Sequence, residues 1–313
     1  MKKHIPLIFL FFSFNISAQT ETSPSTRFIA NLARYRNELI AGNFDNYKTL
    51  IHLDTLWKQP EAMKEEAEDL LFNVIYGSEM YLLKPKKIVK RVNKKLPDYP
   101  LLYLLTEDNI NIILKNKHLI DLLTNGILKP DPPFQIDPET YIFEELDFYG
   151  IKDGMTIGEI GAGNGVFSLM LGLAYDSLTI YVNDLDFFSV RYAKEKITGC
   201  GSKNSGNEYF FVEGKKKSTQ LENIKLDKII IRNAFHHFSR RPEMLASIKQ
   251  SLKPGGDLYI ADPYLCTGHD FDCDEIMAAE DIKKAILDNG FEIIDEKYKD
   301  EWSWLYLHCQ TKN

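Results

Sequence analysis

The sequence predicts an α/β fold, a mostly parallel sheet with crossover helices, preceded by an all-helical segment. Three observations carry this. From Met155 onward, short apolar runs alternate with helix-period stretches, as right-handed strand–helix–strand crossovers require. Gly161, Gly163 and Gly165 stand at alternating positions between a strand-like run and a helix-like one. Before residue 130, apolar residues such as Phe28, Leu32, Tyr35 and Leu39 recur instead at three- and four-residue steps.

The elements follow in order. Residues 27–130 read as a helical N-terminal domain, broken by Pro85, Pro97 and Pro100, whose expected role is to cap the following domain or shape its pocket. His52 and His118 in it are isolated. A short helix over 138–150 leads to strand 156–160, the Gly loop and helix 166–175. A strand–Gly loop–helix unit aims free N–H groups and a positive helix end at a ligand's anionic part. Strand 178–182 ends at Asn183-Asp184-Leu185-Asp186, where Asp186 caps the helix 187–197. Strand 208–212 runs into Glu213, and strand 227–231 into Arg232-Asn233-Ala234-Phe235-His236-His237-Phe238. A helix over 242–252 stops at the turn Leu252-Lys253-Pro254-Gly255-Gly256, ahead of strand 257–261 and Asp262-Pro263-Tyr264. A helix over 276–289 and strands 291–298 and 304–310 close the chain.

Composition sets bounds. At 313 residues the chain can bury one large core or two smaller ones. A net charge of −7 argues against a nucleic-acid partner, since phosphate binding draws on clustered Lys and Arg. Lys215-Lys216-Lys217 and the basic residues between 84 and 95 read as solvated faces. Lys2, Lys3 and His4 precede an apolar run over 5–12, and Ser17-Ala18-Gln19 lies beyond it, the layout of a secretory signal peptide cut after Ala18. The expectation is export with residues 1–18 removed and no stable membrane span remaining; the alternative is a chain anchored by an uncleaved signal. Among Cys200, Cys266, Cys273 and Cys309 no pair has metal-ligand spacing, and a Cys266–Cys273 disulfide and free thiols both remain open. The acidic loop 268–275 has Glu275 where a calcium loop needs Gly, so it reads as a solvated loop and no metal is expected.

The spacing of the Gly loop separates two ligand classes. Dinucleotide sites want G-x-G-x-x-G, whereas here the third glycine comes one residue early and Val166 takes its place. Glu159-Ile160-Gly161-Ala162-Gly163-Asn164-Gly165 resembles motif I of the class I S-adenosylmethionine-dependent methyltransferases. Asn233-Ala234-Phe235-His236-His237 and Leu252-Lys253-Pro254-Gly255-Gly256 resemble two later motifs of that family, in the same order, across residues 138–313. Asp131-Pro132-Pro133-Phe134 also spells a signature of amino-methyltransferases, but no strand precedes it, and it is taken as a coincidence in a Pro-rich linker.

The resemblance implies a Rossmann-like seven-stranded sheet with an antiparallel last strand. It implies S-adenosyl-L-methionine as cofactor, and methyl transfer to an unidentified small-molecule or protein acceptor. Glu159, Gly161, Ala162, Gly163, Asn164 and Gly165 would lie along the methionine part. Asp184 would accept from both ribose hydroxyls, with Leu185 against the adenine and Glu213 or a backbone group at its amino edge. Asn233 and Ala234 would border the methionine end. Where the acceptor must lose a proton, His237 and His236 are the candidate bases, with Asp262 or Tyr264 next. Two alternatives remain: an exported protein that keeps the fold and binds a ligand without catalysis, and a nicotinamide dehydrogenase, which the loop spacing disfavours.

Overall fold

The structure, a computed structural model, describes residues 138–199, 206–265, 276–299 and 303–312, with scattered helical positions between 23 and 108. Residues 1–18, most of the 27–130 segment, Asp131-Pro132-Pro133-Phe134, the acidic loop 268–275 and Cys266 and Cys273 lie outside the described residues. Among those residues no helix is long and apolar enough to cross a membrane.

Helix α1 (Pro138–Tyr149) leads into β1 (Thr156–Ile160), α2 (Val166–Ala174), β2 (Thr179–Asp184), α3 (Phe187–Gly199) and β3 (Glu208–Glu213). Then come β4 (Leu226–Arg232), a 3-10 turn (Phe235–His237), α4 (Arg241–Ser251) and β5 (Leu252–Pro263). Helix α5 (Ala279–Asp288) and strands β6 (Phe291–Lys299) and β7 (Trp304–Thr311) complete the order. All seven strands join one sheet, ordered β3-β2-β1-β4-β5-β7-β6. Strands β1 to β5 are parallel, and β7 runs antiparallel to both neighbours. This is the architecture expected from the sequence.

Strand chemistry explains why the sheet sits between two helix layers. Successive strand side chains point to opposite faces, so a strand covered on both sides must be apolar throughout. In β4, Ile229 and Ile231 face Met244, Leu245, Ile248, Ile282 and Ile286 of α4 and α5. Ile230 between them faces the other cluster, with Leu146, Tyr149, Phe167 and Ile197 from α1, α2 and α3. All three isoleucines are fully buried.

The sequence places Leu252-Lys253-Pro254-Gly255-Gly256 in a turn ahead of its strand; the structure carries it inside β5. Leu226 pairs with Leu252 and Lys228 with Asp257, so β5 has extra residues that bulge away from β4. Gly255, at φ +76°, supplies the left-handed backbone that such a bulge favours. The next helix begins at Ala279 rather than residue 276, because Ala278 is still extended.

The described N-terminal residues attach at the amino ends of the strands. Phe28 is completely buried in the cluster of Leu146, Tyr149 and Tyr175. Arg27 Nη1 donates to Asp153 Oδ1 at 2.6 Å and lies 3.2 Å from Asp176, the two acids that precede β1 and β2. Asn31 Nδ2 donates to the Leu173 carbonyl at 2.8 Å. These contacts lie at the opposite edge from the strands' carboxyl ends. Replacing Phe28 by Ala removes a fully buried ring, so urea unfolding of Phe28→Ala is expected to show a loss of about 3–5 kcal/mol.

Candidate active site

In an open parallel sheet, a crevice forms at the carboxyl ends where neighbouring crossovers leave to opposite faces. Here that point lies between β1 and β4. A cleft of about 390 Å³ opens there, and Gly161, Gly163, Asp184, Leu185, Asn233, Ala234 and His237 all line it. Lys215, Lys216, Phe238 and Met244 line it as well.

The loop after β1 keeps its N–H groups for the protein. Gly161 and Ala162 both donate to the Asn183 carbonyl at 2.9 Å. Gly163 donates to Asp184 Oδ2 at 2.8 Å, and Gly165 to the Ala162 carbonyl at 2.9 Å. The N–H groups of Gly161, Ala162, Gly163 and Gly165 are thus engaged within the protein rather than free for an anionic ligand, and at these positions the loop offers bare Cα surface. Two glycines answer to packing. A Cβ on Gly161 (φ +78°) would come within 2.4 Å of Ala234 Cβ, and one on Gly165 (φ +79°) within 2.8 Å of Ala193 Cβ. The first contact joins the loops after β1 and β4; the second lets α2 meet α3. Ala162 is buried and Asn164 is exposed, its Oδ1 accepting from Val166 N–H at 3.2 Å. Neither is among the cleft residues.

Glu159 also leaves the ligand-facing set. Its carboxyl is buried beneath the loop, where Ser168 Oγ donates to it. Burial pushes its pKa up to about 7, opposed by the Ser168 bond and the nearby Arg232 charge. Arg232 turns to the same face of the sheet. Its guanidinium lies 5.6 Å from the Phe167 ring and 5.2 Å from the Trp304 ring, and its Nε donates to buried Glu145 at 2.6 Å.

At the end of β2, Asp184 Oδ1 accepts from Asp186 N–H at 2.9 Å, so each carboxylate oxygen already holds one backbone donor. Asp186 caps α3 through the N–H and hydroxyl of Ser189, both at 2.9 Å, and these bonds lower its pKa. Leu185 is 53 % exposed beside them. Glu213 is exposed at the end of β3 and outside the cleft wall, which Gly214, Lys215 and Lys216 form instead. Asn183 is a residue that the sequence reading passed over. Its side chain donates to the Val212 carbonyl at 3.0 Å and the Thr219 carbonyl at 2.8 Å, tying the end of β2 to β3 and the loop after it. The available signal was a polar residue inside an otherwise buried strand, which needs partners.

The loop after β4 is held by Asp262, which is fully buried at the end of β5. Its Oδ1 accepts from Ala234 N–H at 3.0 Å and Phe235 N–H at 3.2 Å; its Oδ2 accepts from His236 N–H at 3.0 Å. The His236 ring places Nδ1 3.0 Å from the same Oδ2. An acceptor ringed by N–H groups calls for a proton on that nitrogen. Asp262 is thus no base in the cleft, because every contact it makes points inward. His236 is buried with it, whereas His237 is exposed and lines the cleft. The centroids of the two imidazole rings lie 3.9 Å apart, with the rings tilted by 51°. Asn233 sits at φ +52°, and its Oδ1 is buried with no hydrogen-bond partner in the described protein.

Residues 158–260, from β1 to β5, match the model of a family described as a methyltransferase domain. This part of the chain is a methyltransferase domain. The chain is similar to several solved structures. A methyltransferase from Aquifex aeolicus has 22 % identity and a TM-score of 0.49, covering 57 % of this chain and 93 % of its own. A TehB-like methyltransferase from Corynebacterium glutamicum has 16 % identity and a TM-score of 0.42, covering 63 % and 98 %. The glycopeptide N-methyltransferase MtfA with bound S-adenosylmethionine has 11 % identity and a TM-score of 0.43, covering 54 % and 92 %.

The residues of the methyltransferase domain fit that cofactor. The lone acceptor Asn233 Oδ1 suits an ammonium donor. The Asp184 carboxylate keeps lone pairs for two hydroxyl donors beyond its two backbone bonds. Leu185, Phe238 and Met244 give apolar surface for a flat base. Glu159 adds a pH signature. The folded chain holds this proton up to about pH 7, whereas the ordinary carboxyl value is 4.5. Stability present below that lower value is therefore lost as pH rises towards 7. Denaturation of Glu159→Gln beside the wild type, at pH 5 and pH 8, is expected to favour the variant more at pH 8, by up to about 3 kcal/mol.

Proposed function

We propose that the chain transfers a methyl group from S-adenosylmethionine to a small-molecule or protein acceptor bearing a hydroxyl or amine, with His237 as the base. The observation that carries this reading is the placement of one exposed imidazole in the cleft, beside Asn233 and Ala234. In this reading Asp184 accepts from the ribose hydroxyls, Leu185 covers the base and Asn233 accepts from the ammonium group. When bound, the cofactor supplies an electrophilic methyl group on a positively charged sulfur that leaves as a neutral thioether. With so good a leaving group, the protein's work is to orient the reactants and exclude water. His237 then removes the proton that the acceptor loses as its oxygen or nitrogen takes the methyl group. General-base assistance of this kind contributes about 10²–10⁴-fold.

The same reading includes export. The basic start, short apolar run and Ser17-Ala18-Gln19 support it, and mass spectrometry of the chain from its native cell is expected to find Gln19 as the first residue.

Calorimetry with S-adenosylhomocysteine tests the cofactor assignment. Asp184→Ala is expected to weaken binding at least tenfold, about 1.4 kcal/mol; unchanged affinity places the ribose elsewhere. Methyl transfer from radiolabelled S-adenosylmethionine into cell extract tests the base. His237→Gln is expected to keep cofactor affinity within threefold and to lower transfer by about a hundredfold or more. Tight cofactor binding with no transfer to any extract fraction favours the non-catalytic binding protein instead.

A further inference from the structure

We propose that Asp262 is a positioning residue for methyl transfer, whose two carboxylate oxygens set two different parts of the cleft. The inference rests on the reading of His237 and the cofactor given above. Oxygen Oδ1 holds the Ala234 and Phe235 N–H groups at 3.0 and 3.2 Å. These two residues begin the 3-10 turn, and Ala234 is the residue against which Gly161 packs. Asn233 immediately precedes them in a left-handed backbone state that non-glycine residues adopt at a cost. Its own N–H is held by the Ala261 carbonyl at 2.8 Å, adjacent to Asp262 in β5. The Oδ1 bonds therefore fix the wall on which the cofactor's amino-acid end would rest.

Oxygen Oδ2 does something else. It holds the N–H of His236 and, at 3.0 Å, the Nδ1 of the same residue, so that imidazole is fixed at two points. The buried ring of His236 then supports the exposed ring of His237 from 3.9 Å away. A side chain at the cleft surface is oriented only as well as what lies under it. Here the support is an aromatic plane pinned to a buried carboxylate. Arg241 Nη2 donates to the His236 carbonyl at 2.8 Å and closes the turn from α4.

Two substitutions separate the two oxygens. Asp262→Asn replaces an acceptor oxygen by a donor and disturbs both parts. His236→Phe keeps a flat ring and the three backbone bonds but breaks the ring's tether. The readouts are S-adenosylhomocysteine affinity by calorimetry and the His237 ring proton signals by NMR, assigned with His237→Gln. For Asp262→Asn, an affinity at least tenfold weaker and displaced His237 signals are expected, with cooperative melting retained. A folded Asp262→Asn with wild-type affinity and wild-type His237 signals would show that the carboxylate serves stability alone, and the proposal falls. If that variant does not fold, His236→Phe decides. Displaced His237 signals with affinity within threefold support the proposal; unmoved signals overturn it. A wild-type chain that binds no S-adenosylhomocysteine refutes the cofactor reading without any variant, and the NMR comparison then judges the His236 arm by itself.

Discussion

At the carboxyl edge of the sheet, three loops leave the strands with backbone polar groups that no ladder satisfies, and strand-end side chains and a strand-end carbonyl hold them. A buried group left unpaired costs about 1–3 kcal/mol, so these partners determine which loop shapes are tolerable. Asp262 collects the N–H groups of the turn after β4. Asp184 and the Asn183 carbonyl collect those of the loop after β1. The Asn183 amide donates in the other direction, to carbonyls before and after the tip of the loop that follows β3. The loops are thereby set by groups that belong to the strand ends, which the sheet itself holds rigid. A cleft made this way has its shape before any ligand arrives.

The same logic governs the charges beneath the cleft. Glu159, Arg232 and Glu145 lie on the face covered by α1 and α2, and a charge buried there without a partner would be very costly. Arg232 answers with a close bond to Glu145, and two aromatic rings flank its guanidinium. Tyr149 donates to the same Glu145 oxygen at 2.6 Å. Glu159 is answered less completely, by a serine hydroxyl and a more distant arginine, and burial dominates its titration. This arrangement also ties α1 to the end of β4, one residue before Asn233. The helix ahead of the sheet is thus linked through Arg232 to the strand end that carries the cleft wall.

Much of this was legible in the sequence, for reasons that differ by element. The inner parallel strands β1 and β4 read as apolar runs because both faces of the sheet are covered there, and period decides the helices between the strands. The order of the glycines identified the loop, and the aspartate that ends β2 stands where the motif puts it. The direction of polar groups was not legible. Glu159, Ala162, Asn164 and Glu213 stand next to cleft residues in sequence, and Asp262 hydrogen-bonds one, yet none of the five lines it. A motif records which residues occur together, and the same string serves a residue that faces the ligand and one that braces it. Asn183 and Arg232 escaped for a related reason: their partners lie far along the chain, 36 residues away for Asn183–Thr219 and 87 for Arg232–Glu145.

That distinction between facing and bracing bears on how such a site can work. On the proposed reading, the groups that would meet the ligand include an unpaired amide oxygen, a carboxylate edge, some apolar surface and an imidazole. The amide oxygen of Asn233 has no hydrogen-bond partner among the described residues and the Asp184 carboxylate is only partly engaged, as a group must be if it is to bond something else. The groups behind them are the opposite, fully engaged and out of water. A base needs both conditions at once, an exposed nitrogen and a fixed direction, and a single side chain cannot be buried and exposed together. On the proposed reading, the adjacent histidines would divide that requirement. His236 takes the burial and the tether to Asp262, and His237 takes the exposure. The pair in sequence is therefore one device in space, with the buried ring giving the exposed one an orientation that solvent alone would not.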